Sequence, residues 1–191
     1  MIPRLVIASK NPDKIAEIES MLSETRLADE VVHGLEWDDV EESGESLEEN
    51  ALLKARVVAE ATGLPSLADD TGLEVDALDG APGVQTARFA GEGARYQDNV
   101  AKLLEVLDGQ DERSARFRTV VALVFPDGVE ITADGSVEGL IAEAARGTAG
   151  FGYDPVFEVN GTTLAEMTVE EKHRLSHRAR AIRGLAETLG I

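Results

Sequence analysis

The sequence predicts a single α/β domain, and three features carry that prediction. A short apolar, β-branched run at the N-terminus turns directly into helical spacing. Two Ser/Thr-x-x-Glu capping boxes each open a helix further along. A β-rich run then closes on Pro-Asp-Gly and folds back as a hairpin. With 191 residues, 43% of them hydrophobic, the chain can bury a proper core in one domain of at most two lobes. No internal repeat or linker interrupts it.

Arg4 to Ala8 is the first predicted strand, followed by the polar turn Ser9-Lys10-Asn11-Pro12-Asp13-Lys14. Ile15, Ile18 and Leu22 recur at helical spacing, so a helix begins near Asp13. A strand, a turn and a helix N-terminus form a frequent anion site, in which Ser9 and Asn11 can donate and Lys10 and Lys14 add charge. A capped surface turn is the plainer reading of the same residues. Val31-Val32 and Glu36-Trp37 suggest a second strand region, and Glu41 to Glu45 an acidic turn. Ser46 caps a helix with Glu49 at its third position, and Gly63 and Pro65 end it after about Thr62. Asn50 and Lys54 share one face of that helix, where a lysine is as readily solvent-facing as functional.

Leu67-Ala68-Asp69-Asp70-Thr71-Gly72-Leu73 reads as a buried strand whose end presents two acids at a tight turn. Neighbouring acids repel, and a divalent cation would separate them; a solvated loop in an acidic protein is the equal alternative. Leu73 to Leu78 alternates as a half-exposed strand closed by Asp79-Gly80, and Ala81 to Val84 is a loop. Val100, Leu103, Leu104 and Leu107 mark an amphipathic helix that stops at Asp108-Gly109. Phe117 to Phe125 and Val129 to Ala133 form the hairpin, and Ser136 to Gly139 is a further strand.

Gly147 to Pro155 is too glycine-rich for a helix or central strand, and offers Phe151 as a stacking surface for a base. A floppy surface loop is the alternative, made less attractive by two aromatics in a chain that is 4% aromatic. Pro155 to Val159 returns to strand. Thr168 and Glu171 open a last helix that pauses near Ser176-His177-Arg178 before Ile182, Leu185, Ala186 and Leu189 resume. Lys172, His173, Arg174, His177, Arg178, Arg180 and Arg183 concentrate positive charge there.

A formal net charge of −19 argues against nucleic-acid or anionic-membrane partners, although local cations or a metal can still serve a small anionic substrate. No window reaches the apolar length of a membrane span, and with no cysteines there is neither a disulfide framework nor a thiolate metal site. A soluble, cytoplasmic protein is the expectation. Carboxylates for Mg²⁺, cations and hydroxyls for phosphates, and an aromatic for a base together point to a Mg²⁺-dependent nucleotide enzyme.

Six stretches in order carry a resemblance: Ser9-x-Asn11-x-x-Lys14; Glu42-x-Gly44-x-Ser46-x-x-Glu49-Asn50-Ala51-x-x-Lys54-Ala55; Ala68 to Leu73; Gly80 to Val84; Gly150 to Pro155; and Ser176-His177-Arg178. Together they resemble the inosine triphosphate pyrophosphatase (Ham1-like) family, across nearly the whole chain. The resemblance implies a long mixed central sheet flanked by helices, with an active-site cleft between two lobes. It implies hydrolysis of ITP, dITP or XTP to monophosphate and pyrophosphate, with Mg²⁺ as cofactor, by a homodimer.

By the same resemblance Glu42 and Asp70 hold Mg²⁺, and Asp70 acts as base, with Asp69 its rival. Lys14, Lys54 and Lys172 contact the triphosphate, with Ser9, Asn11 and Thr71 donating hydrogen bonds. Phe151 stacks on the purine, while Gly152, Tyr153, Asp154, His177 and Arg178 line the base and ribose region. Donors such as Arg178 or His177 would pair with a 6-carbonyl and be left unpaired against adenine. Lys10 has no assigned role. A Maf-like pyrophosphatase for modified pyrimidines is the nearest rival, opposed by the Phe151 loop and Ser176-His177-Arg178. A non-catalytic nucleotide-binding module is the other, opposed by Glu42, Asp69, Asp70 and Lys14.

Overall fold

One mixed, seven-stranded sheet organises the protein, in a computed structural model that describes all 191 residues. The strands are β1 (Val6–Ile7), β2 (Ser66–Val75), β3 (Pro82–Gly83), β4 (Ser114–Val124), β5 (Glu130–Ile141), β6 (Phe157–Val159) and β7 (Thr162–Thr163). Their order is β1-β2-β4-β5-β6-β7, with β3 paired to β2. β1 runs parallel to β2, whereas the β2–β3, β5–β6 and β6–β7 pairs are antiparallel. Five helices accompany it: α1 (Pro12–Thr25), α2 (Leu47–Thr62), α3 (Tyr96–Val106), α4 (Val169–Leu175) and α5 (His177–Thr188). No helix is long and apolar enough to cross a membrane.

The chain divides into two compact units, the first comprising Met1–Asp70, Thr119–Gly135 and His177–Ile191. Its core joins Ile18, Met21 and Leu22 of α1 to Ile182 and Leu185 of α5, with Leu67, Val121 and Leu123 from the sheet. The spacing of those helix positions places them on one face, and burying each large apolar side chain stabilises the unit by about 1.5–3 kcal/mol. α5 lies directly on β5: a Cβ at Gly135 would sit 2.3 Å from the His177 carbonyl oxygen and 2.6 Å from the Ala181 nitrogen. Backbone cannot step aside as a flexible side chain can. Gly135→Ala is therefore expected to cost about 1–3 kcal/mol or more, read as a lowered denaturant midpoint in urea.

The second unit comprises Thr71–Arg118 and Ser136–Ser176. Its core holds Leu73, Val75, Leu103, Phe117, Ile141, Tyr153 and Phe157, with the Phe117 and Phe157 rings 4.6 Å apart.

Several expectations change here. The two acids do not end a strand: β2 continues through them, since each finds cations and alternate residues of a strand point to opposite faces. β2 then runs on to Val75, and Asp76–Leu78 is a 3₁₀ turn, not strand. Glu36-Trp37 forms no strand, and Val31 makes only an isolated bridge to Leu5. The strand expected over Arg4–Ala8 is regular at Val6–Ile7 alone. The loop at Ala81–Val84 contains β3, which pairs Pro82 with Glu74. Val129–Ala133 and Ser136–Gly139 fuse into β5, because nothing at Asp134-Gly135 breaks the ladder once α5 occupies the space above the glycine. The pause before Ser176 is a true helix end, after which α5 begins.

Candidate active site

In the first unit, the N-terminal turn and β2 build a buried ionic cluster. Asn11 caps α1, its side-chain oxygen accepting from the Asp13 and Lys14 backbone N–H groups at 2.9 and 3.4 Å. Ser9 Oγ accepts from the Asn11 N–H at 3.2 Å. The expected donors are thus tied into the turn's own architecture, and they aim Lys14 inward. Lys14 Nζ lies 3.3 Å from Asp69 Oδ2, while Arg178 donates to that same oxygen through Nε at 3.1 Å and Nη2 at 3.0 Å. Glu17 holds the other side of the Arg178 guanidinium.

Asp70, one residue on, belongs to a different set. Lys54 Nζ donates to Asp70 Oδ1 at 2.9 Å and to Glu42 Oε1 at 2.8 Å. The α2 lysine is therefore not solvent-facing but draws two carboxylates together. Asn50, one helical turn earlier on the same face, donates to Asp70 Oδ2 at 3.3 Å and accepts from the Gly44 N–H at 2.8 Å. A Cβ at Gly44 would stand 2.6 Å from Asn50 Oδ1, so the acidic turn closes on α2 only with glycine there.

The two aspartates consequently have opposite proton affinities. Burial opposes ionisation of Asp69, but Lys14, Arg178 and Lys54 outweigh it and hold the carboxyl far below the usual carboxylate range. Burial dominates at Asp70 and, with Glu42 beside it, raises the carboxyl above its ordinary value despite Lys54. Burial likewise works against the charge on Lys54, yet Asp70, Asp69 and Glu42 keep it more firmly protonated than usual.

Mg²⁺ is a hard cation that takes one or two protein carboxylates and completes its shell with water and phosphate oxygens. Glu42 Oε1 and Asp70 Oδ1 both accept from the Lys54 ammonium, so two carboxylates converge on one positive charge, the kind of pair this ion takes. The residues fit the ion.

The second unit carries the glycine-aromatic loop. Phe151 is half-buried, its ring centroid 5.8 Å from that of Tyr96, with the Lys172 ammonium 5.0 Å above it. Asp154 fastens the loop, Oδ2 accepting from the Phe151 N–H at 2.8 Å and from Lys172 Nζ at 2.8 Å. Gly150 adopts φ +73°, and a Cβ there would meet Asp154 Oδ2 at 2.0 Å, so the loop closes only around glycine. This is a built loop rather than a floppy one. Gly152 also has positive φ, with open space where a Cβ would be. Tyr153 lies in the core, its hydroxyl donating to the Thr86 carbonyl at 3.0 Å, and burial pushes its phenol up. Thr71 is half-buried in β2 as the second unit begins.

The basic run divides between the two units. Lys172 goes to Asp154 in the second unit, and Arg178 to Asp69 and Glu17 in the first. His177 is buried in the first unit with Nδ1 2.6 Å from Thr119 Oγ. The sequence reading named none of Glu17, Thr119 and Tyr96. Glu17 stands one helical turn after Lys14, which was the available signal; Thr119 and Tyr96 are far from their partners along the chain and had none.

A protein-family model described as the Ham1 family matches residues 5–188. The dITP/XTP pyrophosphatase of Geobacter sulfurreducens is 48% identical over 194 residues, covering 98% of this chain and 96% of the relative. A HAM1 protein structure from Coxiella burnetii superposes with a TM-score of 0.86 at 38% identity, covering 99% of both chains. The Staphylococcus aureus Ham1 protein gives a TM-score of 0.84 at 38% identity, covering 98% of each.

Proposed function

The chain belongs to the Ham1 family, and from that membership we propose that it hydrolyses non-standard purine nucleoside triphosphates, dITP, XTP and ITP, to the monophosphate and pyrophosphate. The observation that carries the proposal is the division of the two acids: Asp69 is locked by Lys14 and Arg178, whereas Asp70 and Glu42 are drawn together on the Lys54 ammonium. We assign residues 1–191 to one catalytic domain acting as a homodimer in the cytoplasm.

Lys14 and Lys54 neutralise the triphosphate, with Ser9, Asn11 and Thr71 as polar contacts and Lys172 as a further cation. Glu42 and Asp70 would hold Mg²⁺, which would supply additional charge neutralisation on the phosphates. Asp70 orients the attacking water and accepts its proton; because a metal on the same carboxylate lowers its basicity, orientation is the larger part of that role. The water oxygen bonds to phosphorus as the α–β bridging bond breaks and pyrophosphate leaves. Asp69 is a poor base and serves to hold Lys14 and Arg178. Phe151, braced by Tyr96, stacks on the purine with Gly152 and Asp154 at its edge, and Tyr153 buttresses that loop. His177 and Arg178 take the base region.

Position six of the purine decides selectivity. A donor aimed at a carbonyl is left unpaired by the adenine amino group, at about 1–3 kcal/mol each, so ATP is expected to be hydrolysed at least tenfold more slowly than ITP. Incubation with Mg²⁺ and dITP, XTP, ITP, ATP, GTP or CTP, measuring pyrophosphate and orthophosphate separately, tests this. Orthophosphate as first product refutes cleavage at the α–β bond, and preference for CTP refutes the purine assignment.

A further inference from the structure

Between α1 and α2 the chain crosses residues 32–46 without helix or strand. The stretch is fixed at its start by the Val32 N–H, which donates to the Leu5 carbonyl at 2.8 Å. At its far end Gly44 and Glu45 donate to Asn50 and Glu49 of α2. Between those points it is held by side-chain pairs: His33 to Glu19 at 3.0 Å, Asp39 to Lys10 at 2.5 Å, and Glu42 to Lys54 at 2.8 Å. The stretch walls a cavity of about 710 Å³ whose lining includes Ser9, Lys10, Trp37 and Asp38.

We propose that Lys10 is a positioning residue for Glu42: by pairing with Asp39 it fastens residues 32–46 to the Ser9–Asn11 turn and so places the carboxylate that the segment carries.

Three extended residues span at most about 10 Å, so a fixed Asp39 confines Glu42 to a short arc. Without that fastening, Glu42 is tethered from the Gly44 side alone, at the end of a loop free from His33 onward, and its effective concentration at Lys54 and Asp70 falls. The hydrogen bond from Lys10 holds the Asp39 carboxyl below its usual value, as an engaged pair should. Both partners are exposed, so the pair is screened by salt and its effect is modest, about threefold to fivefold. The inference rests on the proposed function only for the task given to Glu42; the fastening itself does not.

The test uses the full chain with Lys10→Met, Asp39→Asn and the charge-exchanged double variant Lys10→Asp/Asp39→Lys. Trp37 is the only tryptophan, so acrylamide quenching of its fluorescence reports on the segment without nucleotide or metal. Both single variants are expected to increase quenching and to raise the Mg²⁺ concentration for half-maximal pyrophosphate release about threefold to fivefold, with kcat little changed. The exchanged pair restores both. If Lys10→Met raises KM for the nucleotide while Asp39→Asn does not, and the exchange fails to rescue, Lys10 touches the triphosphate directly and the proposal is overturned. Unchanged Trp37 quenching in both single variants also overturns it. Absence of pyrophosphate release from the unsubstituted protein would instead refute the proposed function, with the quenching result still deciding the fastening.

Discussion

Asp70→Asn is expected to lower Mg²⁺-dependent pyrophosphate release from dITP by about three orders of magnitude while leaving the fold intact. The substitution keeps the shape of the side chain and removes the charge and the proton-accepting oxygen. Folding tolerates this because burial already disfavours the charged form at this position. An acid whose pKa is raised on folding weakens stability as pH climbs from its unfolded value of 3.8 through its folded one, and the amide abolishes that term. Lys54 keeps Glu42 as a partner. Circular dichroism and a urea midpoint close to those of the unsubstituted protein, together with lost turnover, are the expected pair of results. Turnover at the original rate would refute the role given to Asp70.

The neighbouring substitution should do the reverse. Asp69→Asn is expected to destabilise the protein by about 3–5 kcal/mol, because it leaves the buried Arg178 and the half-buried Lys14 without their shared carboxylate. Glu17 still holds Arg178, which places the expectation at the lower end of that range. Asp69 is an acid with a depressed pKa, so its contribution is fully present above the unfolded value of 3.8 and is lost as pH falls through the folded value. The stability gap between the two proteins should therefore be constant from neutral pH down to about pH 4 and narrow below it, measured by urea titration at each pH. A gap that failed to narrow below about pH 4, or a variant as stable as the original, would contradict the ionic account. Two adjacent acids would thus separate cleanly, one in rate and the other in stability.

That separation marks the limit of local reading. The helix beginnings were legible, because Asn11, Ser46 and Thr168 cap through hydrogen bonds made within a few residues. Near Ser176 the sequence showed a pause within one helix, and only the structure shows an end and a new start there. The hairpin over β4 and β5 was visible in its turn, but the union of β5 into one strand was not, since it depends on α5 lying over Gly135. Lys54 shows the same limit: its spacing from Asn50 was plain, and whether it faced water or carboxylates was not.

By itself the sequence determined the mixed α/β class, the starts of α1, α2 and α4, the family, and the small set of residues from which a site could be built. Those properties depend on short-range periodicity, local capping and residue identity. Tertiary structure alone decided which cation each aspartate meets. Asp69 is claimed by Arg178 from α5 and Lys14 from α1, and Asp70 by Lys54 from α2. In sequence the two carboxylates are equivalent neighbours. In the fold, adjacent positions on a strand point to opposite faces, and the charges waiting on those faces, brought from distant segments, make one a fixed anchor and the other a base.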